Sequence, residues 1–172
     1  LVTADPIRSE VITSGPRACH GVALTFDLCP VRDRSGYDEA LIDLLKEKRI
    51  PATFFLSGRW MVRHEHEVRA LLAVPFFEIG THGRAHAHLP LLDEEAQRHE
   101  IQDPVTLLRG RYGRTAPLFR PPYGEYNETT VKIVETLGLR FILWNVISGD
   151  PDPHLSRVQI VRAEKAGARN GS

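Results

Sequence analysis

Short apolar runs alternate along the chain with longer stretches in which apolar residues recur every three or four positions. The runs are GVALTFD (21–27), ATFFL (52–56), FFEIG (76–80), PLFR (117–120) and RFILWNV (140–146), and each predicts a strand. Leu41, Ile42, Leu44 and Leu45 share one side of a helix predicted over 39–48, with Asp38 as its N-cap. Further helices are predicted over 62–72, 93–109, 128–137 and 155–166, and Gly138 and Gly167 stand where two of them should stop. Strands alternating with helices imply parallel βαβ units. Five strands at this spacing suit an open doubly wound sheet or an incomplete (β/α) barrel. In both, chemistry gathers at the C-terminal ends of the strands.

Four of the five strand ends carry side chains of catalytic type. Asp27 follows the first, His82 and His86 the third, Arg120 and Tyr123 the fourth, Asn145 and Asp150 the fifth. Polar loops alone would bring Ser, Asn and Lys as readily. His82 and His86 are four apart, which on a helical turn puts both imidazoles on one face, close enough to share a cation. In a chain with eight histidines such a pair also arises by accident. His64, His66, His88 and His99 lack that setting and read as exposed. Arg120 precedes two prolines that hold its segment extended, so it suits either the orientation of a carboxylate or an ordinary ion pair. Asp27 suits a general base, a metal ligand or a helix cap. Asp150, in SGDPDP, has the chemistry of a turn residue as well. Trp60 and Trp144 read as core.

Composition narrows the field. The 172 residues are 42% hydrophobic and 26% charged, with 22 basic and 22 acidic side chains. That balance suits one globular domain and offers no nucleic-acid surface. No apolar stretch is long enough to span a membrane. The chain opens on Leu1 rather than Met, so the original N-terminus is expected to lie before it, removed with a signal peptide or by trimming. Its two cysteines, Cys19 and Cys29, flank the first strand, which holds them beyond disulfide reach and makes them two buried thiols; a part for Cys29 at the site is the lesser reading.

TFD at Thr25, THGRAHAHL at Thr81 and FRPPYG at Phe119, in this order, resemble the polysaccharide deacetylase family, the NodB-homology domain of carbohydrate esterase family four. The resemblance runs from about Cys19 to the end of the chain. It implies an α/β fold, a distorted (β/α) barrel of the NodB type. It implies a hydrolase that removes N-acetyl or O-acetyl groups from glycans such as chitin or peptidoglycan, and an extracellular or periplasmic location. It also implies one divalent metal, commonly zinc, with His82 and His86 as ligands. Asp27 corresponds to the catalytic base, Arg120 to the residue that orients it, and Tyr123 to a backbone oxyanion donor.

The sequence departs from that pattern at three places. Leu28 and Cys29 replace the family's second Asp, its metal carboxylate, and the Gly that follows. Leucine cannot bind a metal, so a third ligand has to come from elsewhere, Asp27 included; Asp38 better fits its capping position. Of the D-x-x-D-W motif, at 147–151, only Asp150 remains, the residue that in the family tunes the acid histidine. The strand that would carry the L-x-H motif and the general acid has no counterpart in residues 1–172, so the barrel is expected to be incomplete at the C-terminus. Three functions follow: a metal-assisted deacetylase with an altered ligand shell, a hydrolase of another non-peptide C–N bond with little or no metal, and an inactive glycan-binding relative.

Overall fold

The computed structural model of the protein describes residues 11–18, 20–30, 36–150 and 152–172; Cys19 and Pro151 lie outside them. Among the described residues, six parallel strands make one curled sheet. They are β1 (Val11–Ile12), β2 (Thr25–Leu28), β3 (Ala52–Leu56), β4 (Phe77–Thr81), β5 (Leu118–Phe119) and β6 (Arg140–Ile142), in the spatial order β1-β6-β5-β4-β3-β2. The five expected strands are β2 to β6. β1 was not foreseen, because two residues are too short to show a period. It pairs with β6, Val11 opposite Phe141. The first expected strand is displaced: pairing begins at Thr25 and takes in Leu28, which leaves Cys29 just beyond the strand.

The helices are α1 (Glu39–Glu47), α2 (Gly58–Arg63), α3 (Glu65–Leu72), α4 (Glu94–Tyr112), α5 (Glu128–Thr136) and α6 (Arg157–Gly167). Asp38 caps α1, its carboxylate accepting from the Leu41 N–H at 3.0 Å. The helix expected over 62–72 is two. It breaks at His64, whose ring stacks on Trp60 at 4.9 Å. α4 runs on past its expected end at 109 to Tyr112, carries Pro104 inside it, and stops at Gly113 in the left-handed conformation.

Alternation along the strands sorts the sheet into two faces. Leu28, Phe54, Leu56 and Ile79 point outward and join Ile42, Leu45, Trp60, Met61, Val68 and Leu71 in one core. Phe119 and Phe141 join Leu89, Ile101, Ile133 and Val134 in a second. Each such side chain contributes about 1.5–3 kcal/mol by leaving water. Asp27, Phe55, Gly80 and Leu118 have the opposite phase and face inward. Gly80 is required there, since a Cβ would stand 2.5 Å from the Phe55 ring.

The curl is open between β1 and β2. A cavity of about 870 Å³ fills that side, lined by Thr53, Phe55, Leu118, Arg120, Ile142 and Trp144 among others. Residues 171–172 lie across the opening. Gly171 accepts from the Gly15 N–H at 2.7 Å and donates to the Gly21 carbonyl at 2.9 Å, and Ser172 accepts from the Ala23 N–H at 2.7 Å.

Candidate active site

Strand register assembles the site. Leu28, Leu56, Thr81 and Phe119 lie abreast across β2 to β5. One position further along, on the inner face, come Cys29, Ser57, His82 and Arg120. The ladder continues through this row: Ser57 donates to the Leu28 carbonyl at 3.1 Å, His82 to Leu56 at 3.0 Å and Arg120 to Thr81 at 3.0 Å. Two positions back from Cys29, on the same face, stands Asp27. Residues far apart in sequence therefore meet because four strands end level.

Arg120 joins two of them. Its side chain is buried and donates to Asp27 Oδ1 at 2.8 Å and to the Leu143 carbonyl at 3.2 Å. The guanidinium lies 4.1 Å above the Phe55 ring and 5.4 Å from that of Trp144. Trp144, read as core, is half-buried and forms this wall. Arg120's own carbonyl accepts from His82 Nδ1 at 2.8 Å. A carbonyl can only accept, so Nδ1 carries the proton and Nε2 presents a lone pair. That nitrogen is 3.7 Å from Asp27 Oδ2.

His82 and His86 are adjacent, ring centres 5.0 Å apart. Burial holds the His82 imidazole below its ordinary pKa. Burial, then the neighbouring His82, bring His86 from 6.5 to about 4. Both rings are neutral at pH 7, the form that binds a metal. Among the described residues the non-glycine positions with positive φ are Arg49, His86 and Tyr123. Two of the three belong to this site, at φ 62° and 60°, a conformation that costs about 1–3 kcal/mol and collects at functional positions. Tyr123 meets His86 edge-on at 4.5 Å.

Asp150 does not join the histidines. It is exposed, in a turn where its Oδ1 accepts from the Ser148 hydroxyl and its N–H donates to Ser148 Oγ at 3.2 Å. Asn145 is exposed as well.

Three more residues belong to the site, the last two of them unforeseen. The first is Cys29, the lesser reading of the sequence. Its Sγ and one nitrogen from each of His82 and His86 all lie within 4.8 Å of one another. Burial, with the charges of Asp27 and Asp150, pushes the thiol up to about 12. The signal was in the sequence: Asp27 and Cys29 are two apart on an extended run and share a face. The second is His88, stacked flat on Tyr123 at 4.1 Å and hydrogen-bonded through Nδ1 to Glu125 at 2.8 Å. The third is Glu100 on α4. Its buried carboxylate accepts the N–H groups of Arg84 and Ala85, at 3.1 and 2.9 Å, and so fixes the loop between the two histidines.

Residues 14–142 match the family model described as polysaccharide deacetylase. The chain belongs to the polysaccharide deacetylase family. Asp27, His82, His86, Arg120 and Tyr123 all lie within the matched span, and Asp150 lies beyond it. A peptidoglycan-N-acetylglucosamine deacetylase of Bacillus cereus is 31% identical over 137 residues, covering 80% of this chain and 48% of that protein. The chain spans about half the length, or less, of most curated family members it matches. Among solved structures, a family 4 carbohydrate esterase from Streptomyces lividans in complex with acetate superimposes with a TM-score of 0.76 at 31% identity, over 88% of this chain and 76% of that one. A family 4 pseudoenzyme from Bacillus anthracis superimposes with a TM-score of 0.86 at 22% identity, over 95% of this chain and 57% of that one, a likeness of fold. The sheet is thus the family's distorted barrel, and the fold serves active and inactive members alike. No helix among the described residues is long and apolar enough to cross a membrane.

Proposed function

We propose that the chain is a metal-assisted deacetylase of an N-acetylated glycan, with peptidoglycan or chitin as the substrate class. The observation that carries this is the joint grip of Arg120: its guanidinium fixes the Asp27 carboxylate, and its carbonyl fixes the tautomer of His82, 3.7 Å away. An acetamide is a poor electrophile, so the attacking water has to lose its proton as it attacks. Asp27 takes that proton from its strand end while Arg120 keeps the carboxylate aimed, and the proton passes to the amine nitrogen as its bond to the acetyl carbon breaks. The Tyr123 N–H, turned by the left-handed backbone, donates to the oxyanion that forms on the acetyl carbon. The neutral imidazoles of His82 and His86 fit a borderline-soft divalent ion such as zinc, with the second nitrogen of His82 tied to a carbonyl as metal-binding histidines require. Such an ion, when bound, would polarise the acetyl carbonyl and acidify water. Glycans of this kind lie outside the cytoplasm, which favours an exported protein.

Acetate release from N-acetylglucosamine oligomers and from peptidoglycan tests the reading. Asp27→Asn and His82→Ala should each lower it at least about 100-fold, and chelation should abolish it. Full turnover in Asp27→Asn would remove Asp27 as the base. A second reading, hydrolysis of another C–N bond without metal, draws on the burial of Leu28 where a metal carboxylate is expected. It requires turnover that survives chelation.

A further inference from the structure

Leu28 occupies the expected carboxylate position, yet its side chain is 5% exposed and packs with Ile42, Leu45 and Phe54 on the outer face. It points away from His82. The side chain that returns to the Asp27 face is the next one, and it is Cys29. Its sulfur falls into the same register row as His82, and Cys29 Sγ, His82 and His86 form a set of three donors within 4.8 Å of one another.

We propose that Cys29 is the third protein ligand of the site, so that the ion is held by one thiolate and two imidazoles. This rests on the metal reading above and supplies the donor that reading lacks. Tetrahedral zinc, with bonds of about 2.0–2.3 Å, holds its donors about 3.3–3.6 Å apart. No pair here therefore has to close by more than about 1.5 Å, within reach of side-chain rotation. The Cys29 S–H bond breaks as the sulfur–metal bond forms; the proton goes to solvent and no oxidation state changes. Three protein ligands leave the fourth position open for water or an acetyl oxygen, the pattern of catalytic zinc sites. A thiolate among the donors also changes which ions are accepted. It favours zinc, cobalt and cadmium, and it disfavours magnesium, calcium and manganese, which prefer oxygen.

Cobalt(II) titration of the whole chain tests this without any turnover. The expected result is one ion per chain and a sulfur-to-cobalt charge-transfer absorption in the near ultraviolet. Cys29→Ser should lose that absorption and bind cobalt at least about 100-fold more weakly, since loss of a mere supporting contact already costs about 10–100-fold. Cys19→Ser should change neither. If Cys29→Ser does not fold, the absorption of the unmodified and Cys19→Ser proteins still reports sulfur ligation. Cobalt bound without the charge-transfer absorption, or an absorption that disappears in Cys19→Ser, overturns the proposal and leaves the metal reading in place. An unmodified chain that takes up no cobalt overturns both.

Discussion

Arg120 acts through both its ends, so its replacement separates two functions. Arg120→Lys keeps the backbone carbonyl on His82 but cannot reach Asp27 Oδ1 and the Leu143 carbonyl together. Acetate release should fall at least about 10-fold, while cobalt affinity stays within a few-fold of the unmodified chain. Leu28 gives a second test. Restoring the family's carboxylate as Leu28→Asp should not rebuild a metal site, because the side chain enters a core of Ile42, Leu45 and Phe54. The loss of buried leucine and the burial of a carboxylate together cost at least about 3 kcal/mol, read as a lowered urea midpoint. Asp27, His82, His86, Arg120 and Tyr123 were legible in the sequence because each lies in a local motif at a strand end. Cys29 was legible only through phase. Its neighbours, His82 and His86, lie in the loop that follows β4, far from Cys19 in sequence.

At the scale of elements, the loop between His82 and His86 is held from behind by α4. Glu100 is 4% exposed and accepts two backbone N–H groups of residues 84 and 85. Hydrogen bonds to a charged group contribute about 1.5–3 kcal/mol each. Glu100→Ala should therefore lower stability by about 3 kcal/mol and loosen cobalt binding with it. Glu100→Gln, which keeps an acceptor oxygen, should lose less of both. A substitution that weakened neither would show that the loop holds itself. Period and capping residues were enough to read α1, α5 and most strands. They could not yield β1, which exists only through its pairing with β6. Nor could they yield the break at His64, where a ring leaves the helical path to stack on Trp60. The pairing of β1 depends on a neighbour that sequence spacing does not reveal, and the break at His64 on a backbone that leaves the helical region at φ −124°, ψ 50°.

The whole molecule carries the cost of its buried imidazoles as a pH dependence. In the unfolded chain His86 takes up a proton near 6.5; in the fold it does so only near 4. Between those values the unfolded state binds more protons, so stability is complete above pH 6.5 and is lost as pH falls toward 4. His82 shifts in the same direction. The urea midpoint of chelated protein should decline through this window, and His86→Ala should flatten the decline. The barrel's two edges were beyond the reach of any local pattern, since β1 and β2 are adjacent in sequence yet stand at opposite ends of the sheet. That arrangement also has a meaning in time. Val11 faces Phe141, 141 − 11 = 130 residues later, and at a synthesis rate of about 5–20 residues per second the ribosome needs roughly 6–26 s to deliver the partner. For all of that interval the first strand has no neighbour on which to settle. A chaperone that binds early apolar segments would find its target at Val11–Ile12 before the rest of the sheet exists.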